Sequence, residues 1–98
     1  MQNGANDSGS ICDMVKLPFA ALSEQGSVYC KVIILSVQDV IIQCLEGKLD
    51  LSACEREIGN VTDLIYCRDL VEKEFRLAVS EELTAIRRIA MQVLHDCT

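Results

Sequence analysis

Tryptophan is absent from this chain of 98 residues, and Phe19, Tyr29, Tyr66 and Phe75 are its only aromatic side chains. A core must then be aliphatic, built from the Leu, Ile, Val, Ala and Cys of a composition that is 50% hydrophobic, too apolar for a disordered chain. Basic residues are scarce as well: nine Lys and Arg face fifteen Asp and Glu, a formal charge of −6. Phosphate binding needs clustered Lys and Arg, so this balance argues against nucleic acid and against an anionic membrane surface. Histidine occurs once, at His95, two residues before Cys97. Side chains two apart on a helix do not face each other, so the pair offers no thiol and base for nucleophilic catalysis. Glu55 with Glu57 and Glu72 with Glu74 diverge for the same reason and make poor acid–base pairs. No cysteines are spaced C-x-x-C, and Gly47 and Gly59 stand alone rather than in a phosphate-binding loop. The expectation is a protein that is not an enzyme, holds no metal and uses no cofactor.

What is present organises as one domain, the natural count for this length. The opening stretch MQNGANDSGS has no positive region and no apolar run, which does not fit a secretory signal. Residues 1–9 are expected to form a disordered tail and residues 10–98 a helical domain. The stretch from Val28 to Leu45 is long and apolar enough to invite a membrane reading. Lys31, Gln38, Asp39 and Gln43 interrupt it, and a charge near a bilayer centre costs about 3 kcal/mol on insertion scales. The expectation is therefore a soluble, cytoplasmic protein. Six cysteines, Cys12, Cys30, Cys44, Cys54, Cys67 and Cys97, suit reduced thiols serving as small hydrophobes, because most fall on apolar helix positions.

The helical expectation rests on spacing. Ser10 with Asp13 has capping-box spacing, Pro18 ends that turn or starts the next, and Gly26 lends flexibility. In the long apolar rod, Cys30, Ile33, Ile34, Val37, Ile41, Cys44 and Leu45 recur at helical period. Val32, Leu35, Val40 and Ile42 make the other side apolar too, so the rod belongs in the middle of the protein or across a dimer seam. Glu46–Gly47 supplies its stop. Asp50 or Ser52 caps the next helix, with Ser52 and Glu55 as a capping box. Gly59–Asn60 reads as a break, after which Val61 to Ala78 carries Leu64, Cys67, Val71, Phe75 and Ala78 at helical spacing. Ser80 caps a last helix with Leu83, Ile86, Ala90, Val93, Leu94 and Cys97 as its stripe. The predicted class is all-α, a small bundle of about four helices.

Charge marks the candidate surface. Eight of the fifteen acidic residues lie between Glu46 and Glu74, with Lys48, Arg56, Arg68 and Lys73 among them. The rod reads as core, and the acidic turn and the helices after it read as the presented surface. The stretch IIQCLEGKLDLSACEREI, an apolar helix ending in E-G-K-L-D before an acid-rich helix, resembles hairpins of bacterial immunity proteins. These small, acidic, all-helical cytoplasmic proteins neutralise toxin domains of contact-dependent inhibition systems and bacteriocins. The resemblance is one of profile over roughly residues 28 to 75, and the abundance of cysteine departs from it. It implies a tight, non-catalytic inhibitor of a basic nuclease toxin. Glu46, Asp50, Glu55, Glu57, Asp69, Glu72 and Glu74 would occupy the site the toxin uses for phosphates, with electrostatic steering making capture fast. The alternatives are a secretion chaperone or adaptor holding a partner helix in an apolar groove, or a structural subunit, and a homodimer is compatible with the apolar rod.

Overall fold

A computed structural model describes residues 13–97. The expected tail and the Ser10 cap fall outside them. Helical residues 13–16 lead into a 3-10 turn at Leu17–Phe19 and then α1 (Ala20–Gln25), α2 (Val28–Leu45), α3 (Leu51–Val61), the single turn α4 (Leu64–Cys67) and α5 (Arg76–Cys97), with further 3-10 turns at Arg68–Leu70 and Lys73–Phe75. No strand occurs among the described residues, and the protein is a small all-α bundle.

The centre of the fold is α2, which packs against both α3 and α5. Its start is set by Ser27, whose hydroxyl accepts a hydrogen bond from the Cys30 N–H at 3.0 Å. Its end is a Schellman motif. The Gly47 N–H donates to the Cys44 carbonyl at 3.0 Å, and the Lys48 N–H donates to the Gln43 carbonyl at 2.9 Å. Gly47 has φ +79°, the left-handed region that a side chain resists. Between these ends Cys30, Ile34, Val37 and Ile41 turn inward to meet Cys54 and Ile58 of α3 and Ile86, Ala90, Val93 and Leu94 of α5. Val15 and Phe19 close this core from the N-terminal side. Each fully buried Ile or Leu here stabilises by roughly 1.5–3 kcal/mol relative to an exposed one.

The α5 stripe lies where the sequence places it for Leu83, Ile86, Ala90, Val93 and Leu94, all buried, with Cys97 half-buried. Several local expectations are corrected. The rod is not covered all round: Val28, Val32 and Leu35 are 77, 55 and 65% exposed. Asp50 alone caps α3, accepting from the Ala53 N–H at 2.7 Å, so Ser52 is inside the helix and forms no capping box with Glu55. Gly59–Asn60 does not break α3, because the helix continues to Val61 and Asp63, not Asn60, caps the next turn. Pro18 sits at the start of a 3-10 turn, so helical structure runs through it. Gly26 is extended, and a Cβ there would stand 2.7 Å from Cys30 Sγ and from the Leu22 carbonyl. Its role is close approach of α1 to α2, not flexibility.

The expected helix from Val61 to Ala78 is instead a series of single turns, Leu64–Cys67, Arg68–Leu70 and Lys73–Phe75, before α5 begins, interrupted at Asp63 and again where Glu72 takes φ −59°, ψ 144°. The reason lies in packing. Val71 shares a second, smaller core cluster with Val79 and Leu83. In one straight helix Val71 and Val79 would stand roughly 12 Å apart along the axis, and the bend brings them to one cluster. It also leaves Phe75 55% exposed. The last helix consequently starts at Arg76, not after Ser80.

Candidate functional site

The acidic residues between Glu46 and Glu74 divide by what the fold asks of them. Asp50 is exposed, yet its carboxylate is committed to the first turn of α3. Asp63 does the same for α4, accepting from the Ile65 N–H at 2.9 Å. Glu46 follows the last turn of α2 and pairs with Lys48 at 3.2 Å, both exposed. That is the only ion pair among the described residues, and at the surface such a pair contributes at most about 1 kcal/mol.

Along α3, Cys54 and Ile58 define the buried face. Glu55 and Glu57 stand roughly 200° apart around the helix, so they flank that face on opposite sides. Arg56, exposed, occupies the outward line between them. The acid-rich helix thus carries its two glutamates on either side of its buried face, with Arg56 between them on the outward side.

The bent segment 68–75 is different. Asp69, Glu72 and Glu74 are exposed there beside Arg68 and Lys73, and neither an ion pair nor a side-chain hydrogen bond engages these carboxylates among the described residues. Glu72, Lys73 and Glu74 border one shallow depression. Glu72 also stands on the rim of a cleft of about 350 Å³ between the starts of α2 and α5, lined by Val28, Val71, Phe75 and Val79. The break that overturns the continuous helix therefore sets free carboxylates beside exposed apolar side chains.

Glu82 and Arg87 were not legible as partners in the sequence. Glu82 accepts from the Ser27 N–H at 2.9 Å and from the Ser27 hydroxyl at 2.8 Å, so a carboxylate of α5 holds the positive N-terminal end of α2. Arg87 donates from Nε to Thr62 Oγ1 at 3.0 Å and from a terminal guanidinium nitrogen to the Gly59 carbonyl at 2.9 Å, capping the C-terminal end of α3. No local signal in the sequence marks either contact, because each spans 25 or more positions.

Thiol chemistry is muted. Cys30, Cys44, Cys54 and Cys97 are free cysteines. Burial, reinforced by the neighbouring Glu82 carboxylate, pushes the Cys30 thiol up to about 11. Burial, reinforced by Cys44, pushes Cys54 up to about 12. Neither supplies a thiolate near neutral pH. His95 is exposed in the last turn of α5, and no group of three or more His, Cys, Asp or Glu among the described residues is arranged to hold a metal. By length and composition alone, α2 is the one described helix that would cross a membrane.

No protein-family model matches the chain, and no curated protein or solved structure matches it.

Proposed function

We propose that the chain is a non-catalytic inhibitor that binds a basic protein, in the manner of an immunity protein covering a nuclease toxin. The observation that carries this reading is the set of free carboxylates of Asp69, Glu72 and Glu74 on the bent segment, with Glu72 on the rim of the apolar cleft that Val28 and Phe75 border. Interfaces combine an apolar centre with a polar rim, and opposite charge speeds and orients encounter. Of the acidic residues singled out from sequence, these three carry the proposal. Glu46 and Glu57 contribute to the field, Glu55 flanks it, and Asp50 is structural. The protein acts in the cytoplasm, by occlusion, with no cofactor.

Growth protection in cells that express a candidate basic nuclease toxin domain tests the reading. Asp69→Lys, Glu72→Lys and Glu74→Lys together should abolish protection with the helical circular dichroism intact, whereas Glu57→Lys should protect nearly as well as the parent. Binding should weaken as salt rises past physiological strength, where the Debye length is about 8 Å. Full protection by the triple variant would remove the acidic mechanism. The second reading, an adaptor or secretion chaperone with an apolar groove, is favoured by the 77% exposure of Val28 and 55% of Phe75. It gains if Phe75→Asp abolishes binding and the charge reversals do not.

A further inference from the structure

The described residues leave part of the outward face of α2 uncovered. Val28, Val32 and Leu35 recur on it at steps of four and three residues and are 77, 55 and 65% exposed. Exposed apolar rows of this kind mark association surfaces.

Charge on this face selects the occupant. Lys31 and Asp39 are the rod's two charged residues, both exposed, and they stand four residues before and four residues after Leu35. Lys31, Leu35 and Asp39 thus form one i±4 ridge, the kind that interdigitates in the commonest class of helix crossing. Neither charge takes part in an ion pair among the described residues, and the Asp39 carboxylate is held in place by the Gln43 side chain at 2.7 Å. If two such faces meet antiparallel about Leu35, each Lys31 falls opposite the other copy's Asp39. If they meet parallel, Lys31 faces Lys31 and Asp39 faces Asp39, which is repulsive at both ends. The pattern is self-complementary in one orientation only, as a two-fold contact requires.

We propose that α2 docks against a second copy of this chain, antiparallel, with Leu35 on the two-fold axis and two Lys31–Asp39 pairs flanking it. One helix face offers less than the roughly 800 Å² per partner of a standard interface. The dimer is therefore weak, with a dissociation constant on the order of micromolar or above. Val28 also lines the cleft beside Glu72, whereas Lys31, Leu35 and Asp39 lie apart from that cleft, so the dimer is tested at those three residues.

Sedimentation equilibrium on the full chain, under reductant and across a concentration series, reads the equilibrium directly. The parent should pass from monomer to dimer as concentration rises. Leu35→Glu, at an exposed position, should weaken association by about tenfold or more. Lys31→Asp and Asp39→Lys should each weaken it several-fold, and the two together should restore it, because the reversed pair is again complementary. A parent that stays monomeric throughout overturns the proposal. So does a dimer indifferent to Leu35→Glu, or a double reversal that fails to recover. Co-flotation of a monomeric parent with phosphatidylcholine vesicles, lost on Leu35→Glu, would also overturn it and assign the face to lipid.

Discussion

A thiol buried where Cys30 and Cys54 lie must keep its proton for the fold to stand. In the unfolded chain both ionise near 9.0, whereas in the folded protein Cys30 holds its proton to about 11 and Cys54 to about 12. Between those limits the unfolded state has released protons that the folded state retains. Stability is thus fully present below about pH 9 and falls as pH rises, by about 1.4 kcal/mol per pH unit for each thiol. Urea unfolding under reductant should give a distinctly lower midpoint at about pH 10 than at about pH 8. In the Cys30→Ala, Cys54→Ala variant the two midpoints should lie closer together, although both fall because of the cavities left behind. An unchanged pH difference in that variant would mean that other groups cause the loss.

Two helix ends of this protein are held by residues of α5. Glu82 caps α2 from α5, and Arg87 caps α3 from α5. Removing either should cost more than an ordinary surface truncation. Glu82→Ala leaves two donors of Ser27 without their acceptor and should lower unfolding free energy by about 2 kcal/mol. Glu82→Gln, which keeps one acceptor oxygen but no charge, should lose roughly half of that. Thermal unfolding of the two variants checks the order: equal losses would show that a neutral acceptor retains nothing, and a Glu82→Gln variant as stable as the parent would show that charge plays no part. This cross-capping also explains which boundaries were legible. The α2 ends were, because Ser27 and Gly47 act within their own turn. The α3 start was ambiguous because Asp50 and Ser52 both satisfy the local rule and only packing chooses between them. The break at Glu72 was illegible, because local spacing continues through it. What bends the chain is the demand to bury Val71 with Val79. The candidate surface was legible as charge and illegible as function for the same cause: whether a carboxylate is free or spent on a cap depends on where its helix begins.

At the scale of the molecule there are two cores of unequal size. The larger joins α2, α3 and α5, and the smaller gathers Val71, Val79 and Leu83 around Tyr29, Ile33 and Leu64. Residues 62–75 rest on the smaller one and consist of single turns, so they are the unit that opens first. Hydrogen exchange should show their amides exchanging far ahead of those in α2 and α5, and protection equal to α2 would contradict this division. Binding of a partner at Asp69, Glu72 and Glu74 should raise that protection most, because the segment has the most order to gain. The reach of Glu82 back to Ser27 carries one more consequence, for synthesis. The two residues are 55 positions apart. At ordinary translation rates of roughly 5–20 residues per second, several seconds separate their appearance. Until α5 is made, the eighteen residues of α2 lack both the Glu82 contact at Ser27 and the α5 side of their core. Nascent chains are then joined most readily through α2, so the yield of folded protein is decided by how well that one segment is shielded while the ribosome is still at work.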